Sequence, residues 1–99
     1  MKKHFKKVQD ELTKNEIDWS LGNESGWKDN TLIFDGGDCK ILLYVKEDKN
    51  GKLDLSYYDL FEEGDYSPIF DEEVEETTTS HRGNSTSVKK MLKDLNLLN

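Results

Sequence analysis

Thr31-Leu32-Ile33-Phe34-Asp35-Gly36-Gly37-Asp38-Cys39-Lys40-Ile41-Leu42-Leu43-Tyr44-Val45, followed by Lys49-Asn50-Gly51-Lys52 and a further apolar run from Leu53 to Leu60, decides the fold of this chain. Asp35-Gly36-Gly37-Asp38 and Lys49-Asn50-Gly51-Lys52 each set residues that tolerate positive φ between β-type runs, the condition for tight hairpins. An antiparallel meander is therefore expected. With Gly36-Gly37 and Asn50-Gly51 as the central pairs, Phe34 faces Cys39, Leu32 faces Ile41, Leu43 faces Tyr58, and Ile41 also faces Leu60. Alternation then puts Leu32, Phe34, Cys39, Ile41, Leu43, Val45, Tyr58 and Leu60 on one side of the sheet. The other side carries Ile33, Leu42, Tyr44, Leu55 and Tyr57 and is apolar too.

Two arrangements satisfy such a sheet. A helix on each face is the default, because burying apolar surface contributes ~25 cal/mol per Å². Alternatively both helices share the first face, and the second is left as an aromatic patch for a partner or for a second copy of the chain.

Outward from the meander, Phe5, Val8 and Leu12 form one apolar stripe at helical spacing, predicting a helix over residues 2 to 15. Ile17, Trp19 and Leu21 alternate with polar residues as a short strand does. A β-branched run over Val74 to Thr79 reads as a short edge strand and Ser80 to Asn84 as a loop. Val88, Met91, Leu92, Leu95 and Leu98 give a last helical stripe, with Ser85 or Ser87 as its N-cap. The expectation is a single α+β domain over 1–99: an N-terminal helix, an antiparallel meander of three to five strands and a C-terminal helix.

With 33% apolar and 35% charged residues and a formal net charge of −7, the chain is a poor ligand for DNA, RNA or an anionic membrane, because the phosphate contribution is repulsive. The lone cysteine, Cys39, excludes an internal disulfide framework and fits a reducing compartment. The basic opening at Met1 to Lys7 leads into Val8-Gln9-Asp10-Glu11 rather than an apolar signal core, and a cytoplasmic location is expected.

Signals for chemistry are weak. His4 and His81 have no metal-pair spacing, and Cys39 shares the alternation of Ile41, Leu43 and Val45, as a small core residue would. Asp48 and Asn50 fit the first and third positions of a calcium loop, but Lys52 and Leu53 occupy the fifth position and the glycine position. No catalytic residue, metal or cofactor is expected, and the chain reads as a binding protein rather than an enzyme.

The strongest functional signal lies in Asp59, Glu62, Glu63, Asp65, Asp71, Glu72, Glu73, Glu75 and Glu76, nine carboxylates in a stretch without Lys or Arg. Tyr66, Ile69 and Phe70 are interleaved among them. Gly64-Asp65 and Ser67-Pro68 predict an irregular start to this block. Alternate strand residues lie about 6.6 Å apart on one face, so Asp71, Glu73 and Glu75, or Glu72 and Glu76, offer a spaced line of negative charge to a basic groove. The three apolar side chains supply anchors. The plain alternative is a solvated loop whose charge only keeps a small protein dispersed.

The general build, with no motif in common, resembles that of inhibitors carried by phages and mobile elements against host nucleases, some anti-CRISPR proteins among them. The expected partner is a basic nucleic-acid-binding protein or nuclease. An immunity protein that neutralises a toxin follows the same charge logic, and a homodimerising structural or regulatory module uses the second sheet face instead.

Overall fold

The computed structural model describes the backbone of residues 2–67 and 72–98 and the side chains of 3–61 and 79–98. Phe5, Val8 and Leu12 do line one side of a helix, α1 (Lys2–Lys14). After it come β1 (Trp19–Leu21), a short 3-10 turn (Gly22–Ser25), β2 (Thr31–Asp35), β3 (Lys40–Glu47), β4 (Leu53–Ser67), β5 (Glu72–Ser85) and α2 (Val88–Asp94). The five strands form one antiparallel sheet in chain order, so the protein is an α+β meander with a helix at each end. Ser87 is the N-cap of α2, its hydroxyl accepting from the Lys90 amide at 3.2 Å.

The two hairpins differ from the expected turns, with unequal consequences. In the first, the Gly36 amide donates to the Cys39 carbonyl at 2.9 Å, and Asp35 Oδ1 accepts from the Gly37 amide at 2.8 Å. Gly37-Asp38 is therefore the tip, with Gly37 at φ +99, rather than Gly36-Gly37. Sliding the tip by one residue moves every partner by two: Phe34 faces Ile41 instead of Cys39, and Leu32 faces Leu43 instead of Ile41. An even displacement keeps each side chain on its expected face.

In the second hairpin the Asp48 amide donates to the Lys52 carbonyl at 2.8 Å, leaving Lys49, Asn50 and Gly51 as the tip. Asp48 Oδ1 accepts from the amides of Asn50 and Lys52 at 2.8 and 3.0 Å, and Gly51 takes φ +77, the left-handed residue that closes a three-residue loop. An odd loop changes the parity. Leu43 faces Tyr57 rather than Tyr58, and Ile41 faces Asp59 rather than Leu60. Tyr58 and Leu60, expected in the main core, therefore lie on the second face, whereas Leu55 and Tyr57, expected on the second face, lie in the main core.

That core joins Leu32, Phe34, Ile41, Leu43, Val45, Leu55 and Tyr57 of the sheet to Val8 and Leu12 of α1 and Val88, Met91 and Leu92 of α2. Both helices thus cover the same face, and the default expectation of a helix on each face is corrected. The physical reason is economy of apolar surface. The stripes of α1 and α2 meet each other as well as the sheet, and among the described residues the opposite face keeps a smaller buried cluster of Ile33, Leu42 and Leu60. None of the described helices is long and apolar enough to cross a membrane.

Candidate functional site: an acidic ribbon and a sheet face without helices

β3 begins at Lys40, opposite Leu60, so β4 beyond that point pairs with β5 alone. Phe61–Ser67 and the facing residues 72–78 make a two-stranded ribbon that continues the sheet by seven residues per strand. At about 3.3 Å per residue this is about 23 Å. Its register sets Glu62 opposite Thr77, Glu63 opposite Glu76, Gly64 opposite Glu75, Asp65 opposite Val74, Tyr66 opposite Glu73 and Ser67 opposite Glu72.

The irregular start expected at Gly64-Asp65 is corrected: both residues are in the strand, where a glycine weakens pairing without ending it. The loop expected at Ser80–Asn84 is likewise part of β5. There the strand absorbs one extra residue: Tyr57 pairs with Gly83 and Tyr58 with His81, so Arg82 is the bulged position. Its guanidinium reaches Asp59, Nη1 lying 3.3 Å from Oδ2.

Of the expected contact residues, Asp59 is half-buried in this ion pair at the root of the ribbon. Glu62, Glu63, Asp65, Tyr66, Glu72, Glu73, Glu75 and Glu76 occupy the ribbon's backbone positions. Ile69, Phe70 and Asp71 lie outside the described residues. Alternation divides the acidic positions. Asp59, Glu63, Asp65, Glu72 and Glu76 fall on the side of the sheet that carries the helices, and Glu62, Glu73 and Glu75 fall on the other.

That other side has aromatic groups where the helix side has an ion pair. Tyr44 and Tyr58 meet edge to face, with centroids 5.5 Å apart, and Tyr58 meets the His81 ring at 5.1 Å. Trp27, brought over by the loop after the 3-10 turn, packs with them against Ile33, Leu42 and Leu60. A polar chain borders the group: His81 Nε2 donates to Asn84 Oδ1 at 2.7 Å, and Asn84 Nδ2 donates to the buried Ser56 hydroxyl at 2.8 Å. Of the expected second face, Ile33, Leu42 and Tyr44 are here and Leu55 and Tyr57 are not. Trp27, Tyr58 and His81 were not anticipated on this face. The signal that would have found Tyr58 is Asp48, a residue suited to bind amides across an odd-numbered turn.

On the helix side, Cys39 is half-buried beside the core, and burial together with the neighbouring Asp59 carboxylate holds its thiol above the usual range. Such a thiol stays protonated, unlike a nucleophile. A polar groove of about 390 Å³ between β5 and α2 is lined by Tyr57, Asn84, Ser85, Lys90 and Asp94, among others. In it the Tyr57 hydroxyl donates to Asp94 Oδ2 at 2.7 Å. Burial and this carboxylate push the Tyr57 pKa up to about 12, so the phenol acts as a latch between sheet and helix.

No protein-family model, curated protein or solved structure matches this chain.

Proposed function

We propose that this is a non-catalytic inhibitor whose acidic ribbon occupies the basic nucleic-acid-binding groove of a nuclease or other defence protein. One observation carries the reading. Seven carboxylates (Glu62, Glu63, Asp65, Glu72, Glu73, Glu75 and Glu76) sit on the ribbon, and there is no Lys or Arg between Lys52 and Arg82. Over about 23 Å this is roughly one charge per 3.3 Å, close to the ~3.4 Å spacing along a single nucleic-acid strand and half the density of a duplex.

The charge works against the ribbon itself. Glu63 stands directly opposite Glu76, and like charges in that position are destabilising. A two-stranded ribbon also has little stability to spare. Local rules broken without a local gain belong at functional sites, and a cationic groove supplies the missing gain. Competition tests the reading: a nuclease bound by this protein should release a labelled oligonucleotide as the protein is added, with no turnover of the protein or the oligonucleotide. A nuclease that holds protein and oligonucleotide together at full occupancy would contradict it.

A further inference from the structure

We infer that two copies of this chain join through the outer edge of β5, strand against antiparallel strand about a two-fold axis at Thr77, so that one sheet runs through both. This surface is distinct from either sheet face, and the inference stands independently of the inhibitor reading.

The edge is open, and one hydrogen bond fixes which residues present their backbone to it. β5 ends the sheet, and among the described residues no strand pairs with its outer side. The Val45 amide donates to the Asn30 carbonyl at 2.9 Å, so Val45 turns its backbone groups towards β2. The N–H and C=O of one residue share an edge and successive residues alternate, so Lys40 and Leu42 turn theirs towards β4. Their partners Leu60 and Tyr58 turn back towards β3, which leaves Thr79 and His81, opposite those two, pointing away from β4. By the same alternation the backbone groups of Glu73, Glu75 and Thr77 point outward too. Natural sheet edges are blunted by Lys, Pro, bulges or short strands. β5 has 14 residues without Lys or Pro, and its bulge at Arg82 leaves 72–81 regular.

Two observations name a second copy as the occupant. The ribbon of 61–67 and 72–78 has two strands only, and a sheet needs three or more to hold independently. The β5 strand of another copy supplies the third. The sequence of β5 is also complementary to itself about Thr77: Glu72 comes opposite Arg82, Glu73 opposite His81, Val74 opposite Ser80, Glu75 opposite Thr79 and Glu76 opposite Thr78. No acid meets an acid. An axis at Glu75 would set that residue against itself, and one at Thr79 would carry the pairing into the bulge. About Thr77 the outward residues of each copy all find partners, for about ten backbone hydrogen bonds.

Sedimentation equilibrium of the full chain from about 10 μM to about 1 mM reads the assembly. A dimer should form and should tighten as sodium chloride is raised to about 0.5 M, since each copy carries a net charge of −7 that salt screens. Thr77→Pro removes an amide that faces away from β4, so the urea midpoint should hold while the dimer dissociation constant rises at least about tenfold. Register is read without proline, in a Cys39→Ser background: Thr77→Cys should cross-link readily to its own copy on oxidation, and Thr79→Cys much more slowly, because position 79 faces Glu75. A chain that stays monomeric throughout that range, a Thr77→Pro variant that dimerises like the intact chain, or equal cross-linking at 77 and 79 would overturn the inference. None of these touches competition with an oligonucleotide, the test of the proposed function. A monomer whose binding to a nuclease is weakened by Thr77→Pro would give the edge to a strand of the partner and overturn the inference as well.

Discussion

Arg82 Nη1 lies 3.3 Å from Asp59 Oδ2, reaching from the one bulged residue of β5 to the strand beside it. The bulge places the only cation between Lys52 and Lys89 at the root of the acidic ribbon, where it offsets one of the nine carboxylates. Arg82 is nearly half exposed, so the pair contributes little to folding. Arg82→Ala should lower stability to urea by less than about 1 kcal/mol and raise the association rate of a cationic partner.

Tyr57 makes the stability of the fold sensitive to alkali. Its folded pKa is raised from 10.0 to about 12, so the stability it contributes is fully present below pH 10 and is lost as pH rises towards 12. Tyr57→Phe removes both the bond to Asp94 and this titration. It should cost about 1 kcal/mol at neutral pH and flatten the decline in melting temperature across that alkaline window.

Neighbouring tyrosines should respond very differently to truncation. Tyr57 is 2% exposed in the main core, whereas Tyr58 is half-buried on the face without helices. Tyr57→Ala should cost on the order of 3–5 kcal/mol in urea unfolding, and Tyr58→Ala markedly less. The reverse order would mean that the second hairpin closes on a two-residue tip after all.

Cys39 should alkylate slowly at neutral pH, because its thiol is raised by burial first and then by Asp59. Asp59→Asn removes the second cause and should speed the reaction with iodoacetamide, which mass spectrometry follows directly. Cys39→Ser should leave partner binding unchanged.

Element identity was legible because the signals were local. The stripe of Phe5, Val8 and Leu12, the stripe of Val88, Met91 and Leu92, and the two glycine-bearing turns each specify their element without help from the rest of the chain. Register was not, since it depends on how many residues a turn consumes. Asn50-Gly51 suits a two-residue tip, but the Asp48 carboxylate captures two amides and makes the tip three residues long, and that single residue exchanges Tyr57 for Tyr58. The ribbon was misread for a related reason. Gly64 and Ser80–Asn84 have loop composition, and only the ladder between β4 and β5 holds them as strand. The acidic content of the site was plain from the chain. Its division into alternating lines follows from strand periodicity, and which line shares a side with the helices follows from the three-residue tip between β3 and β4 and from the β4–β5 register, which need the fold.

The most direct test of the acidic ribbon as the contact surface is the association rate of a captured basic partner at low salt, measured for the natural chain and for Glu72→Lys, Glu73→Lys, Glu75→Lys and Glu76→Lys combined. The ribbon reading predicts that the quadruple variant associates at least about tenfold more slowly and loses most of its dependence on salt, since long-range attraction acts on encounter. An unchanged rate and an unchanged salt dependence would contradict it and leave the carboxylates as a solvated surface.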